Sequence, residues 1–272
     1  MSDQPDLKAQ VRDFWDAASC GESYAVGSGL KERLEAQART RYELEPYILE
    51  FARFHEGAGK DVLEIGVGMG ADHLEWARSN PCSLTGIDLT PRAVEFTRQR
   101  LALYSLTSDL READTENLPF ADNSFDMVYS FGVLHHSPDT SKAFQEVRRV
   151  LRPGGTARIM IYHKYSVVGY MLWVRYGLLT GKPFRDLDDI YAHHLESPGT
   201  KAYTIEETRG LCTGFSSAAI RSQVSFGDLL QGNVGKRHPS ALVRIAKKIW
   251  PRWLIKRVFR NHGGMILIDV VK

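Results

Sequence analysis

The segment with the most chemical content is Glu64-Ile65-Gly66-Val67-Gly68-Met69-Gly70. Glycines at alternate positions permit a tight turn and a close approach of ligand to backbone, and a helix beginning near Gly70 offers unpaired N–H groups. A dinucleotide site would show G-x-G-x-x-G. Here the spacing is G-x-G-x-G with an acid in the preceding strand, which argues against a pyrophosphate and for a ligand that carries a cation. Asp88 follows at a strand end, where one carboxylate can accept from both hydroxyls of a ribose. Asp114-Thr115-Glu116 follows a third strand, placed for hydrogen bonding to an adenine edge. His135-His136 and the run Tyr162-His163-Lys164-Tyr165 leave later strands at the same rim, and imidazole is matched to proton removal near neutral pH. His193-His194 form another pair, but no Cys or acidic partner stands at ligand spacing, so no metal is expected.

These residues need strand ends to hold them, and the sequence alternates accordingly. Residues 62–65 read as a strand and 71–78 as a helix; 83–87 is a second strand, followed by Thr90 as N-cap and Pro91 at the first helical position of 92–104. Strands are expected at 109–113 and 125–130. An amphipathic helix over 139–151 buries Ala143, Phe144, Val147, Val150 and Leu151 and is stopped by Pro153-Gly154-Gly155, before a fifth strand at 156–162. A helix at 205–211 and strands at 218–225 and 265–271 complete the pattern. The expectation is an α/β fold with a doubly wound, mostly parallel seven-stranded sheet. Residues 1–59 form a helical N-terminal lid segment that includes a long helix over 31–54. Residues 60–272 form the domain proper, with insertions at 163–200 and 228–263. Ligands of such sheets lie at the carboxyl ends of the strands.

Of the 272 residues, 43% are apolar and 10% aromatic, which excludes a disordered or collagenous chain. Cys20, Cys82 and Cys212 form no C-x-x-C pair, so a reducing, cytoplasmic setting is expected. The start, MSDQPDLKAQ, has no apolar core of a signal peptide. The most apolar stretch, 167–179, is interrupted by Arg175 and is shorter than the ~20 residues of a membrane span. The net charge of +2 conceals a split, because nine of the 35 Lys and Arg lie within 229–268, where no acid occurs. Within 240–260, Leu242, Ile245, Ile249, Trp253, Leu254 and Val258 alternate with Arg and Lys, and Pro251 divides the run into two short helices. This is the pattern of a peripheral membrane contact; an acidic partner or cover for the sheet edge is equally consistent. No nucleic-acid module is present. Tyr170, Met171, Trp173, Val174 and Leu178 of an aromatic helix over 165–179 suit core, a homodimer contact or an apolar substrate wall.

Five ordered segments, VLEIGVGMG (62–70), GIDLT (86–90), EADTENLPF (112–120), SFDMVYSFGVLHH (124–136) and VLRPGG (150–155), resemble the class I S-adenosylmethionine-dependent methyltransferases, strongly over residues 60–162. The resemblance implies that Gly66, Gly68 and Gly70 wrap the methionine part of S-adenosylmethionine, with Glu64 near its ammonium. Asp88 would take the ribose hydroxyls, Leu89 would lie against the adenine, Asp114 would accept from the adenine amino group, Thr115 would offer backbone, and Ser130 would lie under the sulfonium. Asp72, where many members carry a small hydroxyl residue, would cap its helix. His136, His135 and His163 are the candidate bases, with His136 preferred, and loop packing explains the same residues. Tyr24, Tyr162, Tyr165, His193 and His194 are candidate substrate contacts. Phe14-Trp15 and Tyr24 would fold over the cofactor, and Arg41-Tyr42 would reach its carboxylate. The expected activity is methyl transfer, leaving S-adenosylhomocysteine, to an O, N or C acceptor on a small, amphipathic molecule. A catalytically silent cofactor-binding subunit is the alternative. A nicotinamide-dependent oxidoreductase fits the sheet but not Glu64, the glycine spacing or Asp114.

Overall fold

A computed structural model of the chain describes residues 6–232 and 249–272. The strands are β1 (Asp61–Ile65), β2 (Ser83–Asp88), β3 (Asp109–Glu112), β4 (Phe125–Phe131), β5 (Leu151–Tyr162), β6 (Ser217–Gln223) and β7 (Met265–Val271). They form one sheet in the order β3-β2-β1-β4-β5-β7-β6, in which β7 runs antiparallel to both neighbours and the other pairs are parallel. This is the doubly wound, mostly parallel seven-stranded sheet that the alternation of strands and helices predicts. Val62, Leu63 and Ile65 of β1 are almost fully buried, as expected of a central strand covered on both faces.

The helices are α1 (Leu7–Ala17), α2 (Leu30–Leu44), α3 (Tyr47–Ala52), α4 (Ala71–Arg78), α5 (Pro91–Ala102), α6 (Thr140–Val150), α7 (Val167–Tyr176), α8 (Leu187–His194), α9 (Ile205–Leu211) and α10 (Arg252–Val258). One sheet face packs on Ala143, Phe144 and Val147 of α6 and on residues of α9. The other packs on Ile48, Phe51 and Ala52 of α3 and Trp76 of α4. Because β7 pairs with β5 from Thr156↔Val271 to Tyr162↔Met265, the start of β7 stands beside the end of β5. Met265 and Tyr162 therefore join the rim formed by the carboxyl ends of β1, β2 and β4.

Three local expectations are corrected. The single helix over 31–54 is two, because Pro46 supplies no N–H and drives Glu45 to φ −129°, ψ 59°, outside the helical region. Helix α6 ends at Val150, ahead of Pro153-Gly154-Gly155, because Leu151 is already extended; β5 begins there and runs through the Pro-Gly-Gly residues, with a register shift against Phe125 and Met127 of β4. The aromatic helix is confined to α7 and a following turn, Leu178–Thr180, and its sides differ. Leu172 is buried with Ile190 and Tyr191 of α8, Met171 packs toward Ile255 of α10, and Val174 and Leu178 are exposed. Of the basic run, residues 240–248 lie outside the described residues; α10 is the part that is described.

Candidate active site

The rim of the sheet encloses a cavity of about 220 Å³. Its floor is the loop after β1. Gly66, Gly68 and Gly70 have φ of +82°, +52° and +73°, a region that favours glycine. The three have different neighbours. A Cβ on Gly66 would lie 2.1 Å from Val133 Cγ2 and one on Gly70 would lie 2.8 Å from Thr97 Oγ1, whereas nothing stands within 4 Å of one on Gly68. Gly66 and Gly68 line the cavity; Gly70 faces α5 instead. Arg100 of α5 steadies the loop by donating from Nε to the Met69 carbonyl at 2.7 Å, and burial lowers its pKa to about 10.

Glu64, Asp72, Asp88 and Asp114 line the cavity near this loop. Glu64 is 3% exposed, and its Oε2 lies 2.9 Å from His73 Nδ1. Burial lowers the His73 pKa to about 3, so the ring is neutral and the contact is a hydrogen bond rather than an ion pair. Burial, with Asp72 and Asp88 nearby, raises the Glu64 carboxyl well above its usual range. A cation beside Glu64 would reverse that cost. Asp88 accepts from Gly68 N at 3.1 Å and from Thr90 N and Oγ1 at 3.0 and 2.9 Å, and burial raises its pKa. Asp114 accepts from Glu116 N at 2.9 Å and from Lys8 Nζ at 2.6 Å. Leu89 and Thr115 also line the cavity, and Thr115 Oγ1 is buried without a hydrogen-bond partner. That orphaned hydroxyl, the open face of Gly68 and the acids on neighbouring strand ends fit an adenosyl group with a cationic tail.

Asp72 does not cap α4. It is 5% exposed and accepts from Arg41 Nε and Nη2 at 2.9 and 2.7 Å, Tyr42 Oη at 3.0 Å and Tyr129 Oη at 2.8 Å. Burial alone would raise its pKa; the Arg41 guanidinium together with the Tyr129 and Tyr42 hydroxyls outweighs it and holds the carboxyl below its usual range. Arg41 lines the cavity, but its fork, like the Tyr42 hydroxyl, is committed to Asp72.

Helix α1 closes one side. Lys8 bridges Asp114 and Glu116, and Trp15 packs edge-on to His136 with ring centroids 5.2 Å apart. Phe14 backs Trp15 at 5.0 Å. Tyr24 lies in the turn Glu22–Tyr24 next to Gly232, outside the cavity lining. The wall beyond β4 and β5 carries Phe131, Val133, His136, Met160, Tyr162, Glu196, Phe226 and Met265.

The structure thus brings Glu64, Gly66, Gly68, Asp88, Leu89, Asp114, Thr115, His136 and Tyr162 to one cavity. Ser130 is fully buried and donates to the Ile65 carbonyl at 3.2 Å. His135 is fully buried behind His136, against the Tyr162 ring, and neither nitrogen has a hydrogen-bond partner. His163 points the other way, with Nδ1 2.9 Å from the Gly263 carbonyl. Tyr165 is half exposed. His193 stands by Asp189 on α8, and His194 stacks on Tyr176 at 3.9 Å. None of these six lines the cavity. Lys8, Glu45 and Glu196 do, and sequence reasoning passed over them; each lies outside the motif segments and on an element whose docking no local pattern encodes. Among the described residues, no group of three or more His, Cys, Asp or Glu could hold a metal ion.

Comparison with known proteins bears on this geometry. Residues 63–159 match a family model described as a methyltransferase domain. Over 99 residues the chain is 41% identical to a probable phthiotriol/phenolphthiotriol dimycocerosates methyltransferase 2 of Mycobacterium ulcerans, covering 36% of this chain and 38% of that protein. Over 116 residues it is 35% identical to an uncharacterized protein of Mycobacterium tuberculosis, covering 43% and 42%. The chain thus spans little more than a third of the curated relatives it matches. Among solved structures, the phosphoethanolamine N-methyltransferase 2 of Haemonchus contortus, in complex with phosphomonomethylethanolamine and S-adenosylhomocysteine, superposes with a TM-score of 0.60 at 17% identity, covering 96% of this chain and 60% of that one. A putative sarcosine dimethylglycine methyltransferase from Galdieria sulphuraria gives 0.53 at 16%, covering 98% of both. The chain carries a methyltransferase domain on the class I S-adenosylmethionine-dependent methyltransferase fold, and S-adenosylmethionine is the cofactor of that class.

Proposed function

We propose that the protein transfers the methyl group of S-adenosylmethionine, by in-line displacement, to a small acceptor with an apolar body. The observation that carries this reading is one cavity that joins acids and glycines suited to the cofactor with a wall of Trp15, Phe131, Met160, Phe226 and Met265. The sulfonium supplies an already activated methyl group, so the protein's task is alignment and exclusion of water. In this reading Glu64 receives the ammonium, Gly66 and Gly68 leave room for the methionine part, Asp88 holds the ribose, and Asp114 and Thr115 take the adenine edge against Leu89. Lys8 ties α1 to the acids of the adenine loop, and Trp15 shields the opposite side.

Titration calorimetry with S-adenosylhomocysteine tests the assignment. Asp88→Ala is expected to weaken binding by about 1.5–3 kcal/mol, the worth of hydrogen bonds to a charged group. Unchanged affinity would remove Asp88 from the ribose, and heat with NAD but with neither S-adenosyl compound would overturn the reading. Methyl release with a panel of acceptors separates an enzyme from a silent binder.

The same reading extends to membrane contact. Helix α10 turns Ile255 inward against Val167 and Leu229 and leaves Trp253 71% and Val258 59% exposed among Arg252, Lys256 and Arg257. Exposed apolar side chains interleaved with cations suit an anionic bilayer. No helix among the described residues is long and apolar enough to cross a membrane. Cosedimentation with phosphatidylglycerol-containing vesicles is expected at low salt, reduced at high salt and by Trp253→Ser. Equal recovery with purely zwitterionic vesicles would count against it.

A further inference from the structure

Glu64 belongs to a hydrogen-bonded chain that runs from β1 over β2 to the loop before β3. His73 of α4 takes part with both ring nitrogens. Nδ1 lies 2.9 Å from Glu64 Oε2, and Nε2 lies 2.8 Å from Ser108 Oγ. The ring crosses β2 at Gly86, the residue that pairs with Glu64, where a Cβ would lie 2.6 Å from His73 Cε1. Glu64 and His73 are 3% and 0% exposed, whereas Ser108 is partly exposed and sits between the exposed Thr107 and Asp109. The groups facing Glu64 are Asp72 and His73 of α4, Arg41 of α2, Asp88 at the end of β2 and Tyr129 of β4. Arg41 is the cation of this set, and its fork is on Asp72, as is the Tyr129 hydroxyl. Burial and the two neighbouring acids therefore favour the neutral form of Glu64 while the cavity holds no further cation.

Two arrangements of protons satisfy both contacts. In the first, the neutral Glu64 carboxyl donates to Nδ1 and Nε2–H donates to Ser108 Oγ. In the second, Nδ1–H donates to the Glu64 carboxylate and the Ser108 hydroxyl donates to Nε2. The ring is neutral in both, in keeping with a pKa that burial lowers to about 3. Resting on the proposed cofactor site, we infer that the ammonium of S-adenosylmethionine switches this chain from the first arrangement to the second, so that one proton leaves Glu64 by way of His73 and Ser108. The Glu64 proton moves to Nδ1, the Nε2 proton moves to Ser108 Oγ, and the former hydroxyl proton of Ser108 passes to water. One positive charge enters with the ammonium and one leaves with the proton, so the net charge of the buried site is unchanged. With the ammonium on the cavity side of Glu64, the ring offers the way out. His73 is thus a positioning residue, which holds the carboxyl that meets the cofactor and hands on its proton.

Titration calorimetry near pH 6.5, in buffers of unequal ionisation enthalpy, counts the protons released on binding. S-adenosylhomocysteine carries the ammonium; methylthioadenosine keeps the adenosine and lacks it. About one proton more should be released with the first ligand than with the second. The affinity for S-adenosylhomocysteine, relative to that for methylthioadenosine, should accordingly rise by about tenfold per pH unit around this pH. In nitrogen NMR of histidine-labelled protein, His73 is assigned by the loss of its resonances in His73→Gln. It should change from the Nε2–H to the Nδ1–H tautomer with S-adenosylhomocysteine and stay Nε2–H with methylthioadenosine, whereas a merely structural histidine would keep one tautomer throughout. Glu64→Gln should lose the extra proton and the tautomer change while still binding methylthioadenosine, which shows that the variant is folded. The tautomer in the wild type decides the question even where that variant fails to fold. The inference is overturned if both ligands release equal numbers of protons, if His73 holds one tautomer with and without S-adenosylhomocysteine, or if the extra proton persists in Glu64→Gln. Absence of S-adenosylhomocysteine binding by the wild type would instead overturn the proposed function itself.

Discussion

Arg41→Ala is expected to destabilise the protein by about 3–5 kcal/mol, the usual cost of leaving a buried charge without its partner. Asp72 is 5% exposed, and Arg41 supplies two of its four hydrogen bonds; the other two come from Tyr129 and Tyr42, neither of which carries positive charge. Without the guanidinium, the Asp72 carboxylate would remain buried beside Glu64 with no cation to offset its charge. Asp72 would then escape by binding a proton, so its carboxyl would move from below to above the usual range. Its folded-state pKa is depressed in the wild type. The stability it contributes is therefore complete above the unfolded carboxylate value and lost as pH falls through the lower folded value. In the variant this dependence should change sign. Urea unfolding of Arg41→Ala, Asp72→Asn and the double variant provides the check, with the double variant expected to be less damaged than Arg41→Ala. A loss below about 1 kcal/mol in Arg41→Ala would mean that Asp72 is already neutral in the wild type.

The second large effect is acid sensitivity from buried imidazoles. Burial lowers the pKa of both His73 and His136 to about 3, while in the unfolded chain each titrates near 6.5. The unfolded state thus binds protons that the native state refuses. The stability from keeping each ring neutral is full above about pH 6.5 and is lost as pH falls toward 3, amounting to about 2 kcal/mol per ring by pH 5. His135 contributes in the same direction, its pKa lowered by burial and by the neighbouring His136 and Lys201. Glu64 and Asp88 act oppositely, because burial raises their carboxyls and the native state takes up their protons first. The cleaner measurement is therefore a difference. The stability gap between the wild type and His73→Asn/His136→Asn should shrink by about 4 kcal/mol between pH 7.5 and pH 5. A gap independent of pH would show that the rings are charged or solvated in the native state.

The loop after β1 was readable because glycine spacing is a local property: Gly66, Gly68 and Gly70 all take positive φ. What spacing could not tell was that Gly70 is required by the approach of Thr97 from α5 while Gly68 opens on the cavity. Asp72 looked like a helix-terminal acid because its position near the start of α4 is visible in the sequence. Its partners, Arg41, Tyr42 and Tyr129, come from α2 and β4 and are not. The His-His pair was found, but the division of labour within it was not: His136 reaches the cavity, and His135 is turned behind it against Tyr162. Glu196 was passed over because it lies in an insertion without periodicity, and it reaches the site only because that insertion folds back over the end of β5.

The sequence by itself determined the alternation of strands and helices, the strand ends at which acids and glycines collect, and the cofactor those ends suit. Each depends on interactions within a few residues or on one repeated period, and both are written along the chain. The tertiary structure decided which carboxyls burial and neighbouring charges push up or down, which imidazole faces the cavity, and which apolar side chains wall it. Burial and charge at a site are set by everything packed around it, and here Lys8, Arg41, Glu196 and Met265 come from segments far apart in the chain.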